Sequence, residues 1–451
     1  MSEVIKIKKG LNIKLQGKAE KIFMKADPAE KYALKPTDFH GLVPKLNVKQ
    51  DDLVKAGSTL FYDKSRPEIK YSSPVSGKVA EIRRGERRKI LEVIIENDHK
   101  LEHIDFGKES VENLTREKVT SKMLESGLWP FMRQRPYGII ANPEDTPKAI
   151  YISAFDTAPL APDLDFIVTG NEDDFQSGID AISKLTSGKV FLNIDADYAA
   201  TSIFNRVNKV EITKFKGIHP AGNVGIQIHH INPINKGDVI WYLYPQDVIS
   251  IGRLFKNGIY DASRIVALTG SEVHKPRYYK LISGSSITPI IKDNIKKENE
   301  VRYISGNVLT GTQISSNGFL GFYDSQITVI PEGNYAEFLG WALLGFGKYS
   351  NSRTFFSWLV PNKEYKLNTN FHGGERAFVM TGQYEKVLPM DIFPVHLLKA
   401  ILASDIEKME NLGIYEVIEE DLALCEFVCT SKIEVQQILR KGLDLMVKEL
   451  G

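Results

Sequence analysis

Residues 148–156 (KAIYISAFD) begin the part of the chain that decides the fold. Two more apolar runs of strand length follow, at 189–195 (KVFLNID) and 209–215 (KVEITKF). The run at 164–170 (LDFIVTG) has the same composition and is also interpreted as a buried strand. Runs of this length that are apolar almost throughout are typical of strands covered on both faces, as in a parallel sheet.

Helices are predicted between these strands. Residues 173–185 place Phe175, Ile179, Ile182 and Leu185 on one side of a helix, and 198–207 are predicted to form the next one. Strands joined by helices imply parallel crossover connections. The middle of the chain is therefore predicted to be a Rossmann-like α/β domain.

The N-terminal part has a different pattern. Short apolar runs alternate with turn signals from residue 42 to residue 96, which predicts a small all-β module. The spacing Asp52-x-Val54-x-x-Gly57, followed by Ser73-Pro74-x-Ser76-Gly77, is similar to the biotinyl/lipoyl hammerhead fold. Carrier domains of that fold hold a cofactor on a hairpin lysine, for which Lys64 is the nearest candidate; an ordinary surface lysine is the alternative.

The C-terminal half divides again. Residues 264–329 contain strand-length runs separated by Gly and Ser, and they look like a β-grasp module of the soluble-ligand-binding type. Apolar stripes with helical spacing follow at 398–409 and 435–450. The prediction is an α/β multidomain chain with a biotinyl/lipoyl-like β domain and N-terminal extension (1–100), a Rossmann-like domain (101–255), a β-grasp domain (256–330) and a mostly helical C-terminal domain (331–451).

Composition excludes several classes of protein. The 58 basic residues nearly balance the 57 acidic ones, so no global field attracts nucleic acid or anionic lipid. No signal-peptide pattern and no apolar run long enough to span a bilayer is found, which predicts a cytoplasmic chain. The most lipid-like segments, 239–252 and 338–347, are predicted to be core, with contact to a membrane partner as the alternative. Two cysteines suit a reducing compartment.

Several longer motifs carry a family resemblance. They are IKIKKGLNIKLQG (5–17), ESGLWPFMRQRP (125–136), HPAGNVGIQIHHINP (219–233), WYLYPQDVISIG (241–252), ISGNVLTG (304–311), GQYEKVLPMDIFP (382–394) and EEDLALCEFVC (419–429). With the domain order, they resemble the A subunits of sodium-translocating NADH:quinone oxidoreductases. That family is a degenerate relative of the flavin-binding, NADH-oxidising subunit of respiratory complex I.

The same motifs lack the groups that cofactors need. Where flavin-binding relatives carry a run of glycines, this chain has Gly127-Leu-Trp-Pro-Phe-Met-Arg-Gln-Arg135, whose bulky side chains fill the space for a phosphate. Cys425 and Cys429 cannot supply the four thiolates of an iron–sulfur cluster and are interpreted as buried small hydrophobes. We therefore expect neither FMN nor an iron–sulfur centre in this chain.

No metal site or catalytic set is expected either. Adjacent His229 and His230 on a strand would point to opposite faces, so they could not share an ion. The segment from His219 to Gly225 is interpreted as a turn that contains two glycines and has a structural role. The alternative is that His219, Gly222 and Gly225 line a ligand site.

The resemblance implies a function for the whole complex. NADH, flavins and an iron–sulfur centre are handled by partner subunits, and quinone is reduced to quinol while sodium is exported. This chain would be a peripheral subunit on the cytoplasmic side of the inner membrane. Its partners would be the other subunits, especially the integral-membrane ones, together with ubiquinone or menaquinone.

A quinone site needs apolar walls and one or two hydrogen-bond donors. The candidate residues are Trp129, Phe131, Met132, Arg133 and Arg135, with Phe39 and His40 in a second loop. Trp129 and Phe131 would pack on the ring or tail, while Arg133, Arg135 or His40 donates to a carbonyl. The alternatives are that the aromatic residues are core and the arginines face solvent, that the chain is purely a structural adaptor, or that it is a flavoprotein or lipoyl-type carrier.

Overall fold

The computed structural model describes residues 4–296, 300–335 and 337–450. Strands occur along the chain as far as Pro331. Their bounds are β1 Val4–Ile7, β2 Glu20–Met24, β3 Lys31–Leu34, β4 Pro44–Leu46, β5 Leu53–Val54, β6 Thr59–Asp63, β7 Lys70–Ser72, β8 Gly77–Arg84, β9 Ile90–Asn97, β10 Arg133–Arg135, β11 Ile139–Ile140, β12 Ala149–Ala154, β13 Lys189–Asp195, β14 Glu211–Gly217, β15 Ile240–Leu243, β16 Ser263–Thr269, β17 Arg277–Ile282, β18 Val301–Ser305, β19 Thr312–Ile314 and β20 Gln326–Pro331.

Helices are concentrated in the middle and at the C-terminal end of the chain. Their bounds are α1 Arg116–Ser126, α2 Leu164–Val168, α3 Glu172–Ile182, α4 Val224–Ile231, α5 Pro245–Asn257, α6 Thr288–Ile291, α7 Tyr384–Val387, α8 Pro394–Leu402, α9 Ile406–Asn411, α10 Glu419–Val428 and α11 Val435–Leu450. The last two lie against each other and complete the C-terminal helical layer.

A mixed sheet forms the centre of the molecule, in the order β1-β14-β13-β12-β15-β10-β11. Its first five strands run parallel, as the αβ alternation predicts, and β10 and β11 add an antiparallel edge. Alternate residues of β12 face opposite layers: Ile150 and Ile152 pack with α3 and α5, whereas Tyr151 packs with the C-terminal helices. Burial on both faces explains why these strands are apolar almost throughout.

Three further sheets surround the central one. The order β19-β18-β20-β16-β17-β2 forms the sheet of the 263–331 region, and β3-β9-β8-β5 with β4-β6-β7 form the N-terminal module. Two strands of the N-terminal segment lie outside that module, because β1 pairs with β14 and β2 pairs with β17. The first 24 residues therefore connect sheets that the sequence pattern assigns to separate domains.

Two interpretations of apolar runs are wrong. The segment 164–170 is not a strand: Leu164–Val168 is a helix, which begins where Asp163 accepts a hydrogen bond from the Phe166 N–H. The segment 198–207 contains only a 3-10 turn at Ile203–Asn205, where Ser202 caps the backbone locally. Short apolar runs fit helix and strand equally well, so the capping side chains decide.

The two lipid-like segments have different environments. The segment 239–252 forms β15 and the start of α5 and is almost entirely buried, which confirms the core interpretation there. The segment 338–347 is not core, since Phe338 is 89% exposed and Leu343, Leu344 and Phe346 are also exposed. None of the helices in the described parts of the chain is long and apolar enough to cross a membrane.

The packing of α3 against α5 depends on two glycines. A β-carbon on Gly252 would overlap the Asp174 carbonyl oxygen, and one on Gly178 would overlap the Val248 carbonyl oxygen. The two helix backbones therefore approach more closely than any side chain permits.

We predict that Gly252→Ala destabilises the protein although alanine is the better helix former. The gain in helix propensity is about 1 kcal/mol, whereas forcing a methyl group into a closely packed contact costs roughly 1–3 kcal/mol and more when a backbone must move. Thermal unfolding of the two proteins measures the difference. Gly374→Ala is the matched control, because a β-carbon there meets nothing within 4 Å and should leave the melting temperature unchanged.

Candidate functional site

The segment from Trp129 to Arg135 lies at the antiparallel edge of the central sheet. Trp129 and Met132 are fully buried and Phe131 is 3% exposed. The Trp129 indole N–H donates to the Ala141 carbonyl oxygen at 2.8 Å, and the ring meets Trp241 edge to face. Trp129, Phe131 and Met132 are therefore buried in the core, which for the two aromatic residues is the alternative to direct packing on a quinone.

Arg133 lies within a cage of three tyrosines. Its guanidinium carbon is 4.7 Å from the ring centroids of Tyr242 and Tyr244 and 4.3 Å from that of Tyr323. Such contacts stabilise the cation through the ring quadrupoles. Burial raises the pKa of each of the three phenols, so all three rings stay neutral.

The Arg133 cage has unused hydrogen-bond donors. The Nε and Nη2 atoms of Arg133 are buried and have no hydrogen-bond partner among the residues that the structure describes. Arg133, Tyr244 and Tyr323 are each only partly buried, so the cage reaches the surface. Buried donors without a partner are rare in folded proteins and call for an explanation.

Arg135 is fully buried and forms an ion-pair cluster. Its Nη1 donates to Asp421 Oδ2 at 2.7 Å, and its Nη2 donates to Glu420 Oε1 at 2.8 Å. Burial and the adjacent Asp421 raise the pKa of Glu420, while Arg135 acts in the opposite direction. The interpretation in which both arginines face solvent is wrong, since Arg135 is 0% exposed and Arg133 is partly buried.

Gly225 belongs to the same cluster. It lies in α4, and a β-carbon there would be 2.5 Å from Asp421 Oδ2 and 2.6 Å from Arg135 Nη1. Asn223, just before the helix, donates to the Glu420 carbonyl oxygen at 2.8 Å. The glycine lets the beginning of α4 approach the ion pair.

The second predicted loop meets the first one. Phe39 is 4% exposed and lies 4.9 Å from Phe322 and 5.8 Å from Tyr323, between ring centroids. Phe322 also stacks on Phe131 at 4.9 Å. Phe322 and Tyr323 therefore join Phe39 to the Arg133 cage.

His40 lies at the exposed end of this region. Its Nε2 is 3.7 Å from Glu419 Oε1, and Glu419 also accepts hydrogen bonds from Nε and Nη2 of Arg440. Burial and the charge of Arg440 lower the pKa of His40, which favours the neutral ring. His40 is next to Glu419 and Arg135 is bonded to Glu420, so α10 connects them.

His219 and Gly222, the other two candidate residues of the glycine-containing segment, lie in a tight turn. His219 Nδ1 is 3.1 Å from Thr157 Oγ1, which also accepts a hydrogen bond from the Gly222 N–H at 2.9 Å. Burial lowers the pKa of His219 to about 4, so the ring is neutral near pH 7. A β-carbon on Gly222 would lie 2.5 Å from the Thr157 nitrogen. Of the three turn residues, only Gly225 contacts the ion-pair cluster directly.

His229 and His230 lie on helix α4. The prediction that they lie on a strand, on which the argument against a shared metal was based, is therefore wrong. His229 Nδ1 bonds Glu416 Oε2 at 2.8 Å and His230 Nδ1 bonds the Ile226 carbonyl oxygen at 2.8 Å. Within the described ranges, no group of three or more His, Cys, Asp or Glu side chains is arranged to hold a metal ion.

Cys425 and Cys429 are buried, and burial raises the pKa of the Cys425 thiol. The Tyr384 hydroxyl donates to Cys429 Sγ at 3.0 Å.

Lys64 is exposed directly after β6, and its backbone N–H donates to the Val43 carbonyl oxygen. A mass measurement of the purified chain remains the test for modification of this lysine.

Sequence reasoning missed the residues that complete the site. The tyrosines of WYLYPQD and the acidic pair of EEDLALC are in motifs that carry the family resemblance, but they received no role. The useful signal was charge: two arginines separated by a single residue in an apolar segment require carboxylates or aromatic rings around them.

Comparisons with known proteins identify the family. Three family models match: "NqrA N-terminal barrel-sandwich hybrid domain" over residues 5–98, "NqrA second alpha/beta domain" over 114–260 and "NQRA C-terminal domain" over 265–316. The first of these agrees with the small β sheets of the N-terminal module.

Similar curated proteins cover the full length. The A subunit of the Na(+)-translocating NADH-quinone reductase of Yersinia pestis bv. Antiqua (strain Angola) is 39% identical over 449 residues, which are 99% of this chain and 100% of the relative. The A subunits of the same reductase from Hahella chejuensis and Neisseria meningitidis serogroup B are also 39% identical, with the same coverage.

Among solved structures, an NAD+-reducing [NiFe]-hydrogenase in the air-oxidised state gives a TM-score of only 0.39 at 11% identity, covering 75% of this chain and 63% of that chain. The assignment to a family is based on the 39% identity over the full length and on the three family models. The chain belongs to the family of A subunits of Na(+)-translocating NADH-quinone reductases.

Proposed function

We propose that this chain takes part in quinone binding within its complex. As a member of the family it is one of the subunits of a Na(+)-translocating NADH-quinone reductase, an oxidoreductase complex. The observation that supports a quinone role is the Arg133 cage, which places buried N–H donors without partners among three neutral aromatic rings. A quinone head is flat and apolar and carries two carbonyl acceptors, which is the complementary chemistry.

The predicted residues take different parts in this proposal. Arg133 donates to a quinone carbonyl, and Tyr244 and Tyr323 form the walls that reach the surface. Trp129, Phe131, Met132 and Phe39 support those walls from the core, since they are buried against one another or against Phe322 and Trp241. Arg135 positions β10 through its ion pairs, and His40 is a neutral donor at the exposed end.

We also propose that this chain holds no redox cofactor of its own and that partner subunits bind NADH, the flavins and an iron–sulfur centre. The proposal also places the chain on the cytoplasmic side of the inner membrane. We further propose the hammerhead, Rossmann-like and β-grasp assignments, with boundaries at residues 100, 255 and 330. The turn of His219, Gly222 and Gly225 then has a structural role, because its polar atoms bond within the protein.

We predict that Arg133→Gln weakens quinone use by the assembled complex. A hydrogen bond from a charged donor contributes about 1.5–3 kcal/mol, so the KM for quinone should rise at least roughly tenfold while the KM for NADH stays the same. Steady-state kinetics of NADH-driven quinone reduction measure both constants.

Arg135→Gln is the matched control for this experiment. Its Nη1 and Nη2 atoms are bonded to Asp421 and Glu420, so its loss should lower the melting temperature of the chain. Arg133→Gln loses cation–π contacts with three tyrosines, each contributing roughly 0.5–2 kcal/mol, but no ion pair within the described residues, so its melting temperature should fall less than that of Arg135→Gln. An unchanged KM for quinone in an intact Arg133→Gln complex would refute the quinone role.

A structural adaptor that clamps the membrane subunits is the second candidate, and one observation favours it. The apolar segment, residues 338–360, exposes large side chains to solvent: Phe338, Leu339, Leu343, Leu344, Phe346, Phe356, Trp358, Leu359 and Val360. Contiguous exposed apolar surface is typical of a binding face. In this candidate function the quinone site lies elsewhere in the complex.

For the adaptor, we predict that Phe338→Ser combined with Trp358→Ser releases the chain from its complex without unfolding it. Phe338 is 89% exposed and Trp358 is 48% exposed, so their loss costs the isolated chain little. Co-purification with the other subunits measures assembly, and thermal unfolding checks the fold. Leu53→Ser, at an 85% exposed position in the N-terminal module, is the control and should still assemble. Normal recovery of the double variant would exclude the apolar segment as the clamp.

A further inference from the structure

The hairpin that joins β8 to β9 ends in a cluster of cations. Residues 83–89 read RRGERRK and form what we call the basic turn. Its charged side chains Arg83, Arg84, Glu86, Arg87, Arg88 and Lys89 are all exposed. Five positive charges and one negative charge are therefore held within seven residues of a chain whose total formal charge is only +1.

The turn itself is made by two arginines in an unfavourable backbone conformation. Arg87 has φ 52° and Arg88 has φ 62°, and the Lys89 N–H donates to the Glu86 carbonyl oxygen at 3.0 Å. Positive φ at both central residues is the geometry of a type I′ turn, for which Asn-Gly is the preferred pair. A left-handed conformation costs a residue with a β-carbon roughly 1–2 kcal/mol. Stability alone does not account for arginine at these two positions.

Most of these cations have no acidic partner. Arg83 is neutralised by Glu81 and Glu92 on the flanking strands. Arg84 donates to the Arg88 carbonyl oxygen, which leaves its charge uncompensated. Within the described ranges, Arg87, Arg88 and Lys89 make no ion pair. The global balance of charge in the sequence therefore conceals a local positive field at the tip of this hairpin.

The shape of the basic turn favours one kind of partner. A two-residue turn at the end of two eight-residue strands is a convex projection, and its exposed side chains are all charged. It offers no apolar anchor or pocket of the kind that forms the centre of a protein interface. Several flexible cations at a convex tip suit a surface of mobile anions, where each cation contributes about 1 kcal/mol.

We propose that the basic turn binds the anionic phospholipid headgroups of a membrane surface. Arg84, Arg87, Arg88 and Lys89 contact phosphate oxygens by charge-assisted hydrogen bonds, and the hairpin orients the N-terminal module toward the bilayer. This contact is independent of the quinone proposal, because the basic turn and the Arg133 cage have no residue in common.

The test uses the full chain and sedimentation with lipid vesicles. The wild type should bind vesicles of equimolar phosphatidylglycerol and phosphatidylcholine, release them as salt is raised, and ignore pure phosphatidylcholine. The variant Arg87→Asn, Arg88→Gly removes two cations and installs the preferred turn pair. It should therefore lose roughly 30-fold in partitioning, the factor for two contacts of about 1 kcal/mol each, while its melting temperature stays equal or rises.

The matched control is Lys8→Asn, Lys9→Gly, which removes the same charge from two exposed positions that make no ion pair within the described ranges. It should bind anionic vesicles like the wild type. Equal loss of binding in both variants would show that only net charge matters and would overturn the proposal. Unchanged vesicle binding by the turn variant would also overturn it. If that variant in addition fails to assemble with the other subunits, the partner of the basic turn is an acidic protein surface.

Discussion

The ion pair between Arg135 and the acidic start of α10 is the interaction on which the arrangement of this molecule depends. Arg135 has no exposed surface, and a buried guanidinium without a counter-charge would cost several kcal/mol. Asp421 and Glu420 supply that counter-charge from the C-terminal helices, and Gly225 leaves the space in which they meet. One edge strand of the central sheet is thereby fixed to the C-terminal layer.

This constraint also sets the chemistry of the neighbouring Arg133. Side chains two residues apart on a strand lie on the same face, so the position of Arg135 determines where Arg133 points. The carboxylates of α10 are bonded to Arg135, and Arg133 is surrounded by neutral phenol rings instead. Two ion pairs thus hold Arg135, whereas Arg133 has no carboxylate partner within the described residues.

The sequence predicted the local features of the fold better than the distant contacts. Parallel pairing of β12, β13 and β14 follows from apolar runs that are buried on both faces, and the packing of Trp129 follows from the size and apolarity of its side chain. The helix at Leu164–Val168 was missed because a single capping aspartate outweighs the pattern of a five-residue run. Strands β1 and β2 were not assigned to their sheets, because pairing partners far apart in sequence leave no local signal.

The candidate site shows the same limit. Arg133, Arg135 and Phe39 could be selected from residue type alone, but the partner of Arg135 is 286 residues away in sequence. No periodicity or motif spacing connects these positions, and only the folded chain brings α10, β15 and the loop of Tyr323 to one place. Exposure of the apolar segment at 338–360 was likewise invisible in composition, since a buried segment and a docking surface have the same residues.

The most direct measurement is photolabelling of the assembled complex with a photoreactive quinone analogue, followed by mapping of the labelled peptides. Quinone binding at the Arg133 cage predicts label on the peptides that contain Tyr242 and Tyr244 or Tyr323, competed by excess quinone and reduced in an Arg133→Gln complex. Competable label found exclusively on the other polypeptides of the complex would contradict it and leave this chain as an adaptor.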